Sequence, residues 1–90
     1  MSEKTIKLLN ELRYAELQLN DTLEYRHYKG GLYKVLDVIF DATQDKVAYV
    51  YQRIDGPDFD AALEAGIVFT RTVEDWFSTT NQGEPRFVPA

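Results

Sequence analysis

The stretch Tyr25-Arg26-His27-Tyr28-Lys29-Gly30-Gly31-Leu32-Tyr33-Lys34-Val35-Leu36, YRHYKGGLYKVL, decides how this chain is read. Up to Tyr28 the residues alternate: Leu23, Tyr25 and His27 fall on one face, Glu24, Arg26 and Tyr28 on the other. That period of two is the pattern of a half-buried strand. Lys29-Gly30-Gly31 reads as a tight turn, because glycine accepts the positive φ that hairpin turns require. Leu32 to Phe40 resumes as a strand, rich in β-branched and aromatic residues and apolar on both faces. Such a strand is central in its sheet or strongly curved.

Upstream of this hairpin the period changes. Leu8, Leu12, Ala15 and Leu19 recur at helical spacing over residues 3–19, with Ile6 and Leu9 widening the stripe and Lys4, Lys7, Glu11, Arg13 and Glu16 on the remaining surface. Ser2 is the expected N-cap and Asn20-Asp21-Thr22 the expected stop. The helix is expected to pack on its own sheet rather than on a partner. Downstream, Asp41 to Asp45 is a polar turn, and Lys46 to Arg53 a strand with Val47, Tyr49 and Tyr51 on one face. Asp55-Gly56-Pro57 breaks that strand. Asp60 should cap one helical turn, Ala61 to Ala65, which Gly66 ends. Ile67 to Thr70 reads as a short strand, and Thr72-Val73-Glu74-Asp75 as a capping box opening a short helix with Trp76 and Phe77. Asn81 to Pro85 is a turn, and Arg86-Phe87-Val88 a closing strand. Short strands joined by tight turns give a mainly β fold, a small barrel or rolled sheet. The organisation is one domain: a helix over 1–20 and a β unit over 21–90.

Composition bounds the chemistry. Ninety residues, 44% hydrophobic and 13% aromatic, suffice for one modest core without a metal or a staple. There is no cysteine, which removes disulfides, thiolate catalysis and the common structural zinc sites, and fits a reducing cytoplasm. The N-terminus lacks the apolar run of a signal peptide, and nothing approaches the roughly 20 apolar residues of a membrane span. A cytoplasmic protein with no cofactor and no membrane partner is expected. The formal charge of −5 argues against nucleic acid as a partner, since counterion release needs several cations on one face.

The hairpin also carries a resemblance. YRHYKGGLYKVL, followed by Val50-Tyr51-Gln52, by Arg71 with Trp76 and Phe77, and by Pro85-Arg86-Phe87, resembles the DUF1653 family of small bacterial proteins of unknown function. The likeness spans about residues 23–88 and leaves the N-terminal helix outside. It implies an SH3-like β-barrel and no activity. Three departures stand out. Val38-Ile39-Phe40-Asp41-Ala42-Thr43 replaces an Ala-Arg-His-Ser-Glu-Thr-like run, the segment from Asp55 to Ala65 is longer than usual, and Thr72 stands where proline is common.

Four constellations are candidates for function. His27, the single histidine, has the chemistry of a general base or metal ligand. The partners such roles require are missing, and a packing role in the strand is the better reading. Asp55, Asp58, Asp60 and Glu64 lack the spacing of a calcium loop and read as a solvated segment. Trp76, Phe77 and Phe69 suit either an aromatic groove or the core. The last is a local excess of cations, Arg26, Lys29 and Lys34 without an acid between them, joined by Arg71 and Arg86. No catalytic and no metal-ligating residue is assigned. The expected function is a non-enzymatic binding or adaptor module for a protein or peptide segment or an anionic ligand. Its candidate residues are Arg26, Tyr28, Lys29, Arg71, Arg86, Tyr51 and His27. The alternatives are a small-molecule or enzymatic site around His27 and Arg26, or nucleic-acid binding through the basic face.

Overall fold

Residues 2–19 and 22–90 are described by a computed structural model of the chain. A helix, α1 (Glu3–Gln18), precedes five strands: β1 (Glu24–His27), β2 (Leu32–Asp41), β3 (Lys46–Asp55), β4 (Phe69–Thr72) and β5 (Phe87–Pro89). Two one-turn helices, α2 (Ala61–Glu64) and α3 (Val73–Trp76), flank β4. Each helix starts where a capping side chain occurs in sequence. The side-chain oxygens of Ser2, Asp60 and Thr72 accept from the N–H groups of Thr5, of Ala62 and Leu63, and of Asp75. The expected stop of α1 at Asn20-Asp21 lies outside the described residues, as does the boundary drawn there between helix and β unit.

All strand pairs are antiparallel, in the order β4-β3-β2-β1-β5. The β1–β2 hairpin turns where the glycines stand: Gly30 has φ 101°, its N–H donates to His27 O, and the His27 N–H donates to Gly31 O. Gly56 is required for a different reason. A Cβ there would lie 2.8 Å from Gly31 Cα and 3.0 Å from Gly30 O, so the hairpin turn rests directly on the turn that ends β3. A register shift between Val35 and Asp37 inserts Leu36 as an extra residue in β2. Such bulges bend a strand and increase its twist.

The result is a rolled sheet. Laid flat, β3 and β5 would be about 14 Å apart, three inter-strand spacings, yet the Tyr51 and Phe87 rings have centroids 5.9 Å apart. The core lies inside the roll. Tyr25, Val35, Tyr49, Tyr51 and Phe87 face inward, Ala15 and Leu19 of α1 close one end, and Trp76, fully buried, sits at the centre. Trp76 stacks on Phe87 at 3.8 Å and meets Tyr25, Tyr49 and Tyr51 edge to face at 5.0–5.4 Å. Its buried Nε1–H has no hydrogen-bond partner among the described residues.

Several expectations are corrected. The sheet is not a closed barrel, because the chain leaves β4 directly into α3 and returns to β5 only after a turn at residues 79–85, so β4 and β5 are both edges. Strand β4 starts at Phe69 rather than Ile67, since the Ile67 N–H still bonds to Glu64 O of the preceding helical turn. Leu23 is exposed, lying before the first paired residue of β1. Ile6 and Leu9 do not join the buried stripe of α1, because only its C-terminal half lies over the sheet.

Candidate functional site

The hairpin positions His27 at the inner rim of the roll. Its ring packs on Phe87 at 4.9 Å and Tyr33 at 6.1 Å, and Nδ1 accepts the Lys29 N–H at 3.2 Å. The imidazole therefore fastens the turn. Burial lowers its pKa, and the positive charges of Arg71, Lys29 and Arg86 lower it further. These three cations thus act on one histidine, although they come from β4, the hairpin turn and the residue before β5.

Two of them are spent differently. Arg71 is inward-facing on an edge strand, a placement that also discourages edge-to-edge pairing. Its Nε donates to Tyr51 Oη at 3.2 Å, Nη1 pairs with Asp75 at 2.5 Å, and the guanidinium lies 5.5 Å from the Phe87 ring centroid. Burial opposes its charge, but the hydrogen bonds it donates to Tyr51 and Asp75, with their charges, prevail and raise its pKa. Asp75, placed by sequence to complete a capping box, gives its carboxylate to Arg71 instead. Tyr51 on the neighbouring β3 thus holds Arg71 in place, and the guanidinium reaches from the β4 edge to Phe87 on the β5 edge.

Arg86 is different. Its Nε donates to Ser78 Oγ at 2.8 Å, and Ser78 Oγ donates to Asp75 O at 2.5 Å. That orients the guanidinium without neutralising it: among the described residues Arg86 is in no ion pair, whereas Lys46–Glu74 and Arg71–Asp75 are. It opens on a hollow of about 270 Å³ walled by Tyr28, Thr80, Asn81 and Gln82. Tyr28 is brought there by β1–β5 pairing, its N–H donating to Arg86 O at 2.9 Å. The Lys29 ammonium lies 5.6 Å from the Tyr28 ring centroid.

Arg26 stands apart. It lies on the outward face of β1, where Nη1 donates to Gly30 O at 2.9 Å. The arginines therefore do not share one cleft; Arg71 and Arg86 line separate hollows. The acids of the long loop serve the backbone: Asp60 caps α2, the Glu64 carboxylate accepts from the Asp60 N–H, and the Asp55 carboxylate from the Gly56 N–H. Trp76 is buried while Phe77 and Phe69 remain partly exposed. Tyr33 and Ser78 were missed. Alternation from the buried Val35 places Tyr33 on the inner face, but nothing local marks Ser78 as the anchor of an arginine eight residues away.

The profile of the family described as "Protein of unknown function (DUF1653)" matches residues 23–89. The chain belongs to the DUF1653 family. A similar solved structure is the crystal structure of a DUF1653 protein from Bordetella bronchiseptica, 32% identical, with a TM-score of 0.58 over 81% of this chain and 90% of that one. No curated protein matches significantly. All seven candidate residues fall inside the DUF1653 match, and α1 precedes it. Among the described residues, no helix is long and apolar enough to cross a membrane, and no cluster of three or more His, Cys, Asp or Glu could hold a metal.

Proposed function

We propose that this DUF1653 protein is a non-enzymatic binding module, and that its ligand is a carboxylate or phosphate presented by a protein segment to the hollow between Tyr28 and Arg86. One observation carries the reading: Arg86 is a half-buried guanidinium, oriented by a hydroxyl and left without a counter-charge among the described residues, in a protein of net charge −5. A guanidinium so held offers its remaining N–H donors as a fork to an anionic group. Tyr28 supplies a flat wall for the segment that carries the anion, and Lys29 a second positive charge. His27, Arg71 and Tyr51 build the rim beneath. The half-open roll, with a one-turn helix before its last strand, supports an SH3-like reading of the scaffold, a type that presents extended segments on aromatic surfaces. An enzymatic site on His27 and Arg26 is less favoured, because both side chains already hold the hairpin turn.

The test is a titration of the ¹⁵N-labelled protein with inorganic phosphate and with a short acidic peptide. Amide shifts should cluster at Tyr28, Thr80 to Gln82 and Arg86, and weaken as salt is raised. Arg86→Gln should abolish them while Arg26→Gln leaves them intact. Shifts that survive in Arg86→Gln, or that centre elsewhere, refute the assignment.

A further inference from the structure

A second groove, which shares no lining residue with the Arg86 hollow, has a different chemistry. It runs between α1 and the start of β3 and α3, encloses about 650 Å³, and takes lining residues from Glu3 through Tyr14. Glu3, Lys7, Glu11 and Tyr14 lie on successive turns of one helix face, a span of about 16 Å at 1.5 Å per residue. The volume is that of a ligand cleft, but the shape is elongated, which suits a chain segment better than a compact molecule.

Its floor is largely apolar, with Ile6, Tyr14, Val47 and Val73, and Asn10 falls between the first two on the helix. Ile6 and Tyr14 are 47% and 62% exposed, so this surface is unpaid for by the protein's own packing. Its rim carries four carboxylates, Glu3, Glu11, Asp45 and Glu74, against two ammonium groups, Lys7 and Lys46. Lys46 is held by Glu74 at 3.4 Å, and among the described residues Glu3, Glu11 and Asp45 make no ion pair. A second copy of this acidic chain meets that rim with like charge.

We infer that this groove docks a basic amphipathic helix of a partner protein, its apolar face on Ile6, Tyr14, Val47 and Val73 and its lysines or arginines on the acidic rim. The mode is helix in groove, with anchors at i, i+3, i+4 and i+7 over about two turns of the partner. The site is independent of the Arg86 hollow: it takes cations where that one takes anions.

The probe is a synthetic 15-residue amphipathic peptide with leucines at those anchor positions and lysines elsewhere, compared with its glutamate counterpart by fluorescence anisotropy. The lysine peptide should bind at least about tenfold more tightly, and raising salt should narrow the difference. Ile6→Lys and Val73→Lys should each weaken it about tenfold or more. Glu3→Lys with Glu11→Lys should reverse the preference, whereas Asp58→Lys with Glu84→Lys, equal in charge but outside the groove, should not. Thermal melts establish that each variant is folded; the surface pair Glu3→Lys/Glu11→Lys serves as the deciding variant where an apolar one is not. Arg86→Gln should leave this binding unchanged. Equal affinity for both peptides, insensitivity to the groove variants, or a concentration-dependent dimer that excludes the peptide would each overturn the inference.

Discussion

Tyr49 and Tyr25 spend their hydroxyls on the carbonyls that α1 leaves free at its C-terminal end: Tyr49 Oη donates to Ala15 O at 2.6 Å and Tyr25 Oη to Leu19 O at 3.1 Å. Burial raises both phenol pKa values, most strongly that of Tyr49, so neither ionises in the ordinary range. Tyr49→Phe keeps the ring against Trp76 and removes only the donor. It should cost about 1 kcal/mol in urea denaturation, the usual net worth of a buried hydrogen bond; an unchanged midpoint refutes the role given to the hydroxyl. His27 supplies the pH-dependent term. Burial, then Arg71, Lys29 and Arg86, set its folded pKa below the unfolded value of about 6.5. The unfolded chain therefore takes up the proton first, and His27's contribution is whole above about pH 6.5 and is lost as pH falls toward the folded pKa. Protonation also removes the acceptor for the Lys29 N–H. The difference in urea midpoint between the native protein and His27→Gln should shrink from pH 7.5 to pH 5, and a constant difference would falsify this account. A ligand anion at Arg86 would offset part of the positive field and weaken the shift.

At the scale of elements, what could be read from sequence is what local chemistry decides. The three N-caps, the glycine turn and the alternation of β1 and β3 depend on residues within a few positions of one another, and the structure places them as expected. The start of β4 was misplaced because Ile67 and Val68 have strand character while the backbone of Ile67 still closes the turn of α2. The buried extent of α1 was misjudged because periodicity gives a helix its face but not the length of sheet beneath it. Thr72 marks where such local reading succeeds in outline and errs in detail. Its hydroxyl caps α3, but the return half of the capping box is diverted to Arg71. Thr72→Ala should cost about 1 kcal/mol, and Thr72→Ser should recover most of it. Because α3 holds Trp76, the loss should appear in near-ultraviolet circular dichroism before the far-ultraviolet signal changes.

At the scale of the molecule, the missing information was closure. Whether a five-stranded antiparallel sheet becomes a barrel depends on where two distant edges end up, and no window of sequence reports that. Here the edges are joined by side chains: Trp76, which follows β4 in α3, stacks on Phe87 of β5, and Arg71 of β4 lies over the same ring. The same clasp separates Arg71 from Arg86, which is why a cluster of cations in sequence became two sites in space. A seam of this kind opens more easily than a ladder, since no row of backbone hydrogen bonds must break together. Amides of β4 and β5 should therefore exchange through local opening well before those of the β2–β3 hairpin, which carries nine of the paired positions. Phe87→Ala tests the clasp directly. Removing the stacked ring leaves a cavity against Trp76 and should cost about 3–5 kcal/mol, whereas Val88→Ala, on the outward side of the same strand, should cost well under 1 kcal/mol. Equal costs at the two positions, or β5 amides as protected as those of β3, would mean that the edges are held by something other than these rings.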